Sequence, residues 1–266
     1  MKTNLGRGRT DEVVEVSKLT ARGVAAIIAE APGFYARMTR TSALLLSGEP
    51  VLDLNMILIG PGSKSDGFLC EAVELVQERK LPLLTLFAPD IASTLEPSAA
   101  KLGMASIGTL PLMVLRATSP FQPGKMCNIK RAVDQRTITI AGDLQASAFE
   151  LPRESVARAL DASRTKITCA ETFVCSWDGE PISAMTVVRA GITAGVWTMA
   201  TLPEHQRKGM GRAMLTRVLE QYRQQGVSLF YLGASKAGRP LYESVGFETI
   251  AKFSMWMLAQ SQEGAA

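Results

Sequence analysis

Residues 204–215, EHQRKGMGRAML, place two glycines one residue apart, directly before an apolar pattern of helical period. Gly209 and Gly211 lack a Cβ, so an anion can approach the main chain closely. Free N–H groups and the dipole at the start of a helix favour negative charge, and the flanking basic side chains add positive potential. The stretch predicts an anion-binding cradle suited to a diphosphate. The alternative is a basic turn that only starts a surface helix, because a GxG motif alone is weakly specific.

The composition is that of a soluble globular protein, with 47% hydrophobic and 20% charged residues among 266. A formal charge of +4, without a basic run interleaved with aromatics, predicts no nucleic-acid partner but allows a small anionic ligand. No apolar run approaches the roughly 18 residues that a membrane span needs, and the N-terminus is polar. We therefore expect a cytoplasmic protein without a membrane partner. Four cysteines without a CxxC pair and a single histidine predict no metal site.

Residues 116–126, RATSPFQPGKM, collect two prolines and a glycine between two structured regions. Such a segment is typical of a domain boundary. We predict one domain at 1–118, a linker at 119–126 and a second domain at 127–266.

Local patterns predict the secondary structure on both sides of this boundary. Apolar runs favour strands, an apolar stripe of helical period favours a helix, and Asp178 with Gly179 supplies the chemistry of a hairpin turn. The first half is predicted to form a strand–helix–strand unit at 52–60, 68–80 and 81–88. The second half is predicted to contain strands at 168–177, 182–190, 192–202 and 227–234, and a helix at 211–226 that ends at Gly226.

The two halves match at a fixed offset of 143 residues. LGMASIGTLPLMVL (102–115) falls on VGFETIAKFSMWML (245–258), and the two segments agree in apolar pattern, glycine and final leucine. The same offset brings 84–88 onto 227–231. Self-similarity at one period indicates an internal repeat. We therefore predict a mixed α/β (α+β) fold with two related domains, each a twisted mixed sheet flanked by helices.

Two further patterns carry a resemblance to a known family. VWTMATLPEHQRKGMGRAML (196–215) resembles the pyrophosphate-binding signature of the GNAT superfamily of N-acetyltransferases, a strand, a proline and then Q/R-x-x-G-x-G/A opening a helix. Pro203, Gln206, Gly209 and Gly211 take those places. LGASKAGRPLYESVGFE (232–248) resembles the second signature of that family, a strand followed by a short helix with L-Y and then G-F. Both signatures occur in the family's order, and the resemblance extends over roughly 127–258.

The resemblance implies an N-acetyltransferase in which a primary amine attacks acetyl-CoA, or another acyl-CoA, within a ternary complex. The amides of 207–212 would hold the pyrophosphate, and a bulged strand at 199–201 would hold the pantetheine arm by main-chain pairing. The residues so assigned to the acyl-CoA are Met199, Ala200, Thr201, Gln206, Arg207, Lys208, Gly209, Met210, Gly211, Arg212 and Ser235. Ser235 stands where many relatives have an asparagine, and its shorter side chain weakens that assignment.

Two side chains are candidates for the chemistry. Tyr242 stands where the family places the phenol that protonates the leaving sulfur, and a phenol with a pKa near 10 can donate at neutral pH. The strand 192–202 has no carboxylate, so Glu171 on a neighbouring predicted strand is our candidate base, with an ordered water as the alternative. The simpler interpretations are a core tyrosine and an exposed strand glutamate. His205 lies beside the expected phosphates and is interpreted as a solvated turn residue.

The first half lacks both features. The offset sets SKSDGF (63–68) against QRKGMG (206–211), and Ala99 against Tyr242, so we predict a degenerate first domain that keeps the fold only. LNMILIGPGSKSD (54–66) departs from a Walker-type loop because Leu58 and Ser63 stand where glycines belong, and a polar turn is the better interpretation.

The sequence leaves the acceptor and the assembly open. A small-molecule amine, a peptide N-terminus, a lysine side chain and an antibiotic all remain candidate acceptors, because fold does not fix substrate. The repeat either imitates a dimer within one chain or accompanies a homodimer. A non-catalytic acyl-CoA-binding or interaction module is the alternative to the enzyme.

Overall fold

The computed structural model describes residues 5–63, 66–117, 121, 127–161 and 169–259. Its contacts divide the chain into two units, Met1–Leu112 with Ile250–Ala266, and Met113–Thr249. Within the described ranges, no helix is long and apolar enough to cross a membrane.

The first unit is a sheet with helices. Its elements are α1 (Leu5–Ile28), β1 (Tyr35–Met38), β2 (Ser42–Leu46), a 3-10 turn (Leu52–Leu54), β3 (Asn55–Ile59), α2 (Gly67–Glu78), β4 (Leu83–Phe87), α3 (Ala92–Lys101), the first part of β5 (Ala105–Arg116) and most of β11 (Glu248–Leu258). The described strands lie in the order β1, β2, β3, β4, β11, and among these neighbouring pairs β3 and β4 are parallel while the others are antiparallel. Every residue of β2 and β3 is buried, which explains their continuous apolar sequences.

The second unit contains the two sequence signatures. Its elements are the end of β5, then β6 (Asn128–Arg131), α4 (Gln135–Phe149), α5 (Arg153–Val156), a π-helix (Ala157–Asp161), β7 (Ala170–Trp177), β8 (Glu180–Ala190), β9 (Thr193–Thr201), a 3-10 turn (Pro203–His205), α6 (Met210–Gln224), β10 (Leu229–Gly233), α7 (Arg239–Val245) and the start of β11. The strands lie in the order β5, β10, β9, β8, β7, β6. The predicted elements of this half are confirmed to within a few residues.

Side chains alternate between two packed faces of the second sheet. Phe173 and Cys175 belong to the core that includes the buried side of α6, whereas Val174 between them packs with Ala141 and Leu144 of α4. Since neighbouring residues of a strand point to opposite faces, α6 and α4 cover opposite sides of the sheet. This three-layer arrangement fixes the position of α6 relative to β9.

The repeat offset is visible in the elements. An offset of 143 residues brings the first residue of α2 onto the first residue of α6, and the first residue of β5 onto the first residue of β11. Both units also share a parallel pair that follows antiparallel strands, β3 with β4 and β9 with β10. The order of elements therefore recurs along the chain.

The division into units differs from the predicted domains at the last strand of each half. Ser254–Leu258 of β11 pair with β4 of the first unit, and the end of β5 lies beside β10 in the second unit. The sequence could not reveal this exchange, because the two strands have the same apolar pattern and suit either sheet. The predicted linker 119–126 falls almost wholly outside the described residues, as do Lys64 and Ser65 of the glycine-containing turn.

Candidate functional site

The strands β9 and β10 pair over only part of their length. The two strands pair in parallel over Thr193–Gly195 and Leu229–Tyr231, and no further register joins them within the described chain. Both strands continue beyond this point, β9 as far as Thr201. The carboxyl-terminal part of β9 therefore offers main-chain groups to an extended ligand.

An aromatic pair marks the point of separation. The rings of Trp197 and Tyr231 meet edge to face, with their centroids 6.3 Å apart. Gly195 lies against both rings, because a Cβ there would come within 2.7 Å of Trp197 Nε1 and of Tyr231 Cζ. A side chain at position 195 would push the rings aside, so this close packing requires a glycine.

A β-bulge interrupts β9 beyond the residues that pair with β10. Thr186 of β8 faces Trp197, but Ala184 faces Ala200, so Thr198 and Met199 together oppose one residue of β8. The bulge that the resemblance implied at this strand is confirmed. Thr198 has a φ of +46°, which is unusual for a β-branched residue and costs on the order of 1–3 kcal/mol.

A buried glutamine of α4 holds the bulge. Gln145 is 1% exposed, and its Nε2 donates to the carbonyl oxygen of Thr198 at 3.0 Å and to the Thr198 Oγ1 at 2.8 Å. The Thr198 hydroxyl in turn donates to Thr186 Oγ1 at 3.2 Å. These bonds offset the backbone strain and fix the direction of the peptide groups around Met199. The sequence prediction missed Gln145, because it lies on a helix that was not predicted.

The turn after β9 leads into the start of α6. Gln206 Nε2 donates to the Thr201 carbonyl oxygen at 3.0 Å, and Arg207 and Gly209 both have positive φ values, 59° and 84°. The N–H of Ala213 donates to the Gly209 carbonyl at 3.0 Å, so the amides of the preceding first turn have no acceptor within the helix. This is the geometry that binds anions at helix starts.

The first turn of α6 packs closely on the end of β9. A Cβ on Gly211 would lie 3.3 Å from Thr201 Oγ1 and 3.4 Å from Met199 Cε. The side chains of Arg207, Lys208 and Arg212 are exposed around this turn. The cradle therefore combines close main-chain access with positive charge, which fits the pyrophosphate of an acyl-CoA.

Tyr242 of α7 lies in the core beside this turn. Its side chain is 8% exposed and meets Phe247 edge to face, with the ring centroids 5.8 Å apart. Burial raises the pKa of Tyr242 to about 12, so the phenol keeps its proton at neutral pH. No hydrogen-bond partner for its hydroxyl occurs among the described residues. The Ser235 hydroxyl is bound locally, accepting the N–H of Gly238 at 3.1 Å.

Glu171 is engaged by two partners. Its carboxylate accepts a hydrogen bond from the Tyr222 hydroxyl and forms an ion pair with Arg131 at 2.6 Å. The register places Glu171 opposite Val187 of β8, so a whole strand separates it from β9. The carboxylate therefore has two partners in the structure, and its role as the base stays a prediction. The sequence could not show these partners, because Tyr222 lies 51 residues away along the chain.

The comparisons with known proteins agree with this geometry. Residues 169–249 match the family model described as the acetyltransferase (GNAT) domain. Over this range, the chain is similar to a GNAT acetyltransferase domain. The matched range contains Glu171, the β9 bulge, the cradle and Tyr242, and it leaves the first unit outside.

Curated relatives of the GNAT domain match a short segment. The ribosomal protein bS18-alanine N-acetyltransferase of Escherichia coli (strain K12) is 35% identical over 57 residues, which are 20% of this chain and 38% of the relative. The match thus spans well under half the length of that relative.

Solved structures extend the likeness in fold to nearly the whole chain. A GCN5-related N-acetyltransferase from Kribbella flavida has a TM-score of 0.67 at 16% identity, covering 92% of this chain and 95% of that chain. A tandem GNAT protein from the clavulanic acid biosynthesis pathway has a TM-score of 0.58 at 16% identity, covering 96% and 97%. These likenesses establish the mixed α/β GNAT-type fold.

Burial of Tyr242 predicts a loss of stability in alkali. The folded phenol keeps its proton up to about pH 12, whereas the unfolded phenol loses it near its ordinary pKa of 10.0. The unfolded state therefore binds fewer protons between these values, so the free energy of unfolding falls as the pH rises through this window. Urea denaturation on either side of pH 10 measures this slope. Tyr242→Phe is expected to make it shallower, and an unchanged slope would contradict the shifted pKa.

Proposed function

We propose that this protein is an acyl-CoA-dependent N-acetyltransferase that transfers an acetyl group to a primary amine by direct attack in a ternary complex. The observation that carries the proposal is the bulged β9, which separates from β10 and leads directly into the glycine-containing start of α6. This arrangement supports main-chain pairing with an extended arm and capture of a diphosphate at one end of it.

The acyl-CoA is proposed to be bound by main-chain hydrogen bonds and by positively charged side chains. Amides of the first turn of α6 and the turn at 207–209 are proposed to bind the pyrophosphate, with Lys208 and Arg212 adding positive potential. Met199, Ala200 and Thr201 are proposed to pair with the pantetheine arm through their backbone. Gln206 supports the cradle indirectly, since its side chain braces the end of β9. Ser235 has a corresponding local role before α7.

Acetyl-CoA supplies a thioester whose carbonyl carbon accepts a nucleophile. The N–H of Met199 at the bulge is proposed to stabilise negative charge on the carbonyl oxygen, because a donor fixed in place needs no reorganisation. Tyr242 is proposed to donate its proton to the departing sulfur, in keeping with a pKa raised to about 12 by burial. Because the Glu171 carboxylate is engaged by Arg131 and Tyr222, we propose an ordered water as the base for the amine.

Amine-dependent release of CoA tests the enzymatic proposal. We expect purified protein with acetyl-CoA to release CoA faster when a primary amine is added, and the product mass to rise by one acetyl group. A peptide beginning with alanine is the first acceptor to try, because a curated relative is named for acetylating alanine. The same peptide with a blocked N-terminus is the control, and lysine-containing peptides and small amines follow.

The alternative is a non-catalytic acyl-CoA-binding module. It is favoured by one observation, that Glu171, the carboxylate proposed from the sequence, is bound by other side chains. Saturable binding of acetyl-CoA without acetylated product across all acceptor classes would select this alternative. If the protein does not bind acetyl-CoA either, both the enzyme and the acyl-CoA-binding module are wrong.

Gln145 is expected to matter for turnover more than for binding. Gln145→Met removes the donor to the strained Thr198, so the Thr198 carbonyl oxygen loses this hydrogen bond. Such a loss lowers the free energy of unfolding by about 1–3 kcal/mol. We expect kcat to fall about tenfold while the Kd for acetyl-CoA changes little, because the cradle lies beyond the bulge. Gln135→Met, on the exposed start of the same helix, is the matched control. A wild-type kcat in Gln145→Met would show that the bulge holds without it.

The first unit is proposed to be a degenerate copy of the GNAT domain. It repeats the order of elements, but the residues that the offset aligns with the cradle and with Tyr242 differ in chemistry, as in Ala99. Isothermal titration should therefore give one acetyl-CoA per chain. A stoichiometry of two would contradict the proposed degeneracy.

A further inference from the structure

The first unit contains a cavity that the GNAT function does not use. Its volume is about 310 Å³, and it lies between α1, the turn that joins β1 to β2, and the end of β3. All of its lining residues belong to the first unit, so it is separate from the cradle at the start of α6. The volume is at the lower end of the range for small-molecule sites.

Positive charge converges on this cavity. Lys18 and Arg22 of α1 and Arg40 of the turn line it, and no aspartate or glutamate among the described residues does. Lys18 has a loose ion pair with the exposed Glu15 at 3.6 Å, whereas Arg22 and Arg40 form no ion pair within the described ranges. Three cations from two elements in a concave site raise the local concentration of anions.

The turn that carries Arg40 is braced. The Thr39 N–H donates to the Ser42 carbonyl at 2.8 Å, and the Ser42 N–H returns a bond to Thr39 Oγ1 at 2.9 Å. The Gly60 N–H then ties the turn to β3 through the Thr41 carbonyl at 2.7 Å. Because the turn is held on both sides, Arg40 projects from a fixed base, which limits the ordering cost of binding.

Part of the cavity lining is apolar. Val14 and Ala21 of α1 and Leu58 of β3 belong to it, and Leu58 is 4% exposed. A lining that combines apolar side chains with cations suits a ligand with an anionic head and a short apolar body.

We propose that this cavity binds a small organic anion, one carboxylate or phosphoryl group on an apolar body of about one ring. Arg22 and Arg40 hold the anionic group, and the wall formed by α1 and β3 covers the apolar part. The site gives the first unit a ligand of its own, independent of acyl-CoA.

Titration of the full chain with three probes tests this proposal. Phenyl phosphate carries a phosphoryl group on a phenyl ring, and benzoate carries a carboxylate on a phenyl ring. Benzyl alcohol is the neutral counterpart of both. Acetyl-CoA is present at saturation in all titrations, so that the cradle in the second unit is not free for the probes. We expect at least one of the anions to bind and the alcohol not to bind.

Charge variants locate the binding. The double variant Arg22→Gln with Arg40→Gln is expected to weaken the anion about tenfold or more, since it removes two charge-assisted bonds. Both side chains are exposed, so the fold should survive, which circular dichroism verifies. Lys101→Gln, an exposed cation on α3 outside the cavity, is the matched control and should bind as the wild type does.

Three results with the probes and the charge variants would overturn the proposal. They are equal binding of the alcohol, unchanged anion affinity in the double variant, and no binding of either anion at millimolar concentration. Repeating the titration with Gly211→Trp separates this proposal from the proposed function. If Gly211→Trp still binds the anion, the result supports the proposed cavity site whether or not acyl-CoA binds the cradle. If Gly211→Trp alone loses anion binding, the anion binds in the cradle and the proposed cavity site is wrong.

Discussion

Gly211→Trp is expected to abolish the binding of acetyl-CoA while the protein stays folded. A Cβ added at this position would lie 3.3–3.4 Å from Thr201 and Met199. Because there is no further room on that side, the indole is expected to occupy the cradle. The variant should lose two or more charge-assisted bonds to the diphosphate, each worth about 1.5–3 kcal/mol. Isothermal titration is therefore expected to show an affinity lower by about 100-fold or more.

Gly211→Ala is the matched control for this prediction. Its methyl group meets the same atoms and needs a shift of only a few tenths of an ångström. We expect it to keep the affinity for acetyl-CoA within a small factor of wild type. Unchanged affinity in a folded Gly211→Trp would remove the cradle, and the start of α6 would then be only a basic turn.

Tyr242→Phe should lower amine-dependent turnover by about 100-fold, the usual contribution of a general acid, and leave the affinity for acetyl-CoA nearly unchanged. The phenylalanine keeps the edge-to-face contact with Phe247 and loses only the hydroxyl. Steady-state kinetics with a fixed acceptor, together with titration of acetyl-CoA, separates turnover from binding.

Tyr222→Phe makes the same chemical change at another buried tyrosine. Its hydroxyl donates to Glu171, and burial, followed by that hydrogen bond, raises the Tyr222 pKa. The variant should lower stability and spare turnover, since this hydroxyl lies within the core next to Glu171. Wild-type turnover in Tyr242→Phe, or an equal loss in both variants, would assign Tyr242 to packing.

The elements around the cradle were predictable because their signals are local. Asp178 and Gly179, at φ values of 50° and 88°, form the turn that their residue types predict, and α6 combines an apolar stripe with Gly226 beyond its end. The glycine motif before α6 likewise depends on a few adjacent residues. Sequence reasoning therefore located the carboxyl end of β9 and the start of α6 correctly.

Other parts depend on partners that are distant in sequence. The helix α1 contains several glycines and β-branched residues that disfavour a helix, yet Val16 packs at 1% exposure and tertiary burial decides the outcome. From its residue type alone, Gln145 is expected at the surface. Its burial becomes evident only because α4 packs on the bulge of β9. The role of Glu171 was likewise hidden, because its partners come from α6 and β6.

The exchange of final strands has a consequence for the order of events during synthesis. The edge of β4 is covered by Ser254–Leu258, the last residues of β11, so the ribosome must translate β11 before the first unit is complete. Until then β4 presents an open edge in the nascent chain, a surface prone to mispairing and a target for chaperones. An expression plasmid that stops before β11 would leave that edge open, so we expect the first unit to be less stable when the gene is divided at 119–126.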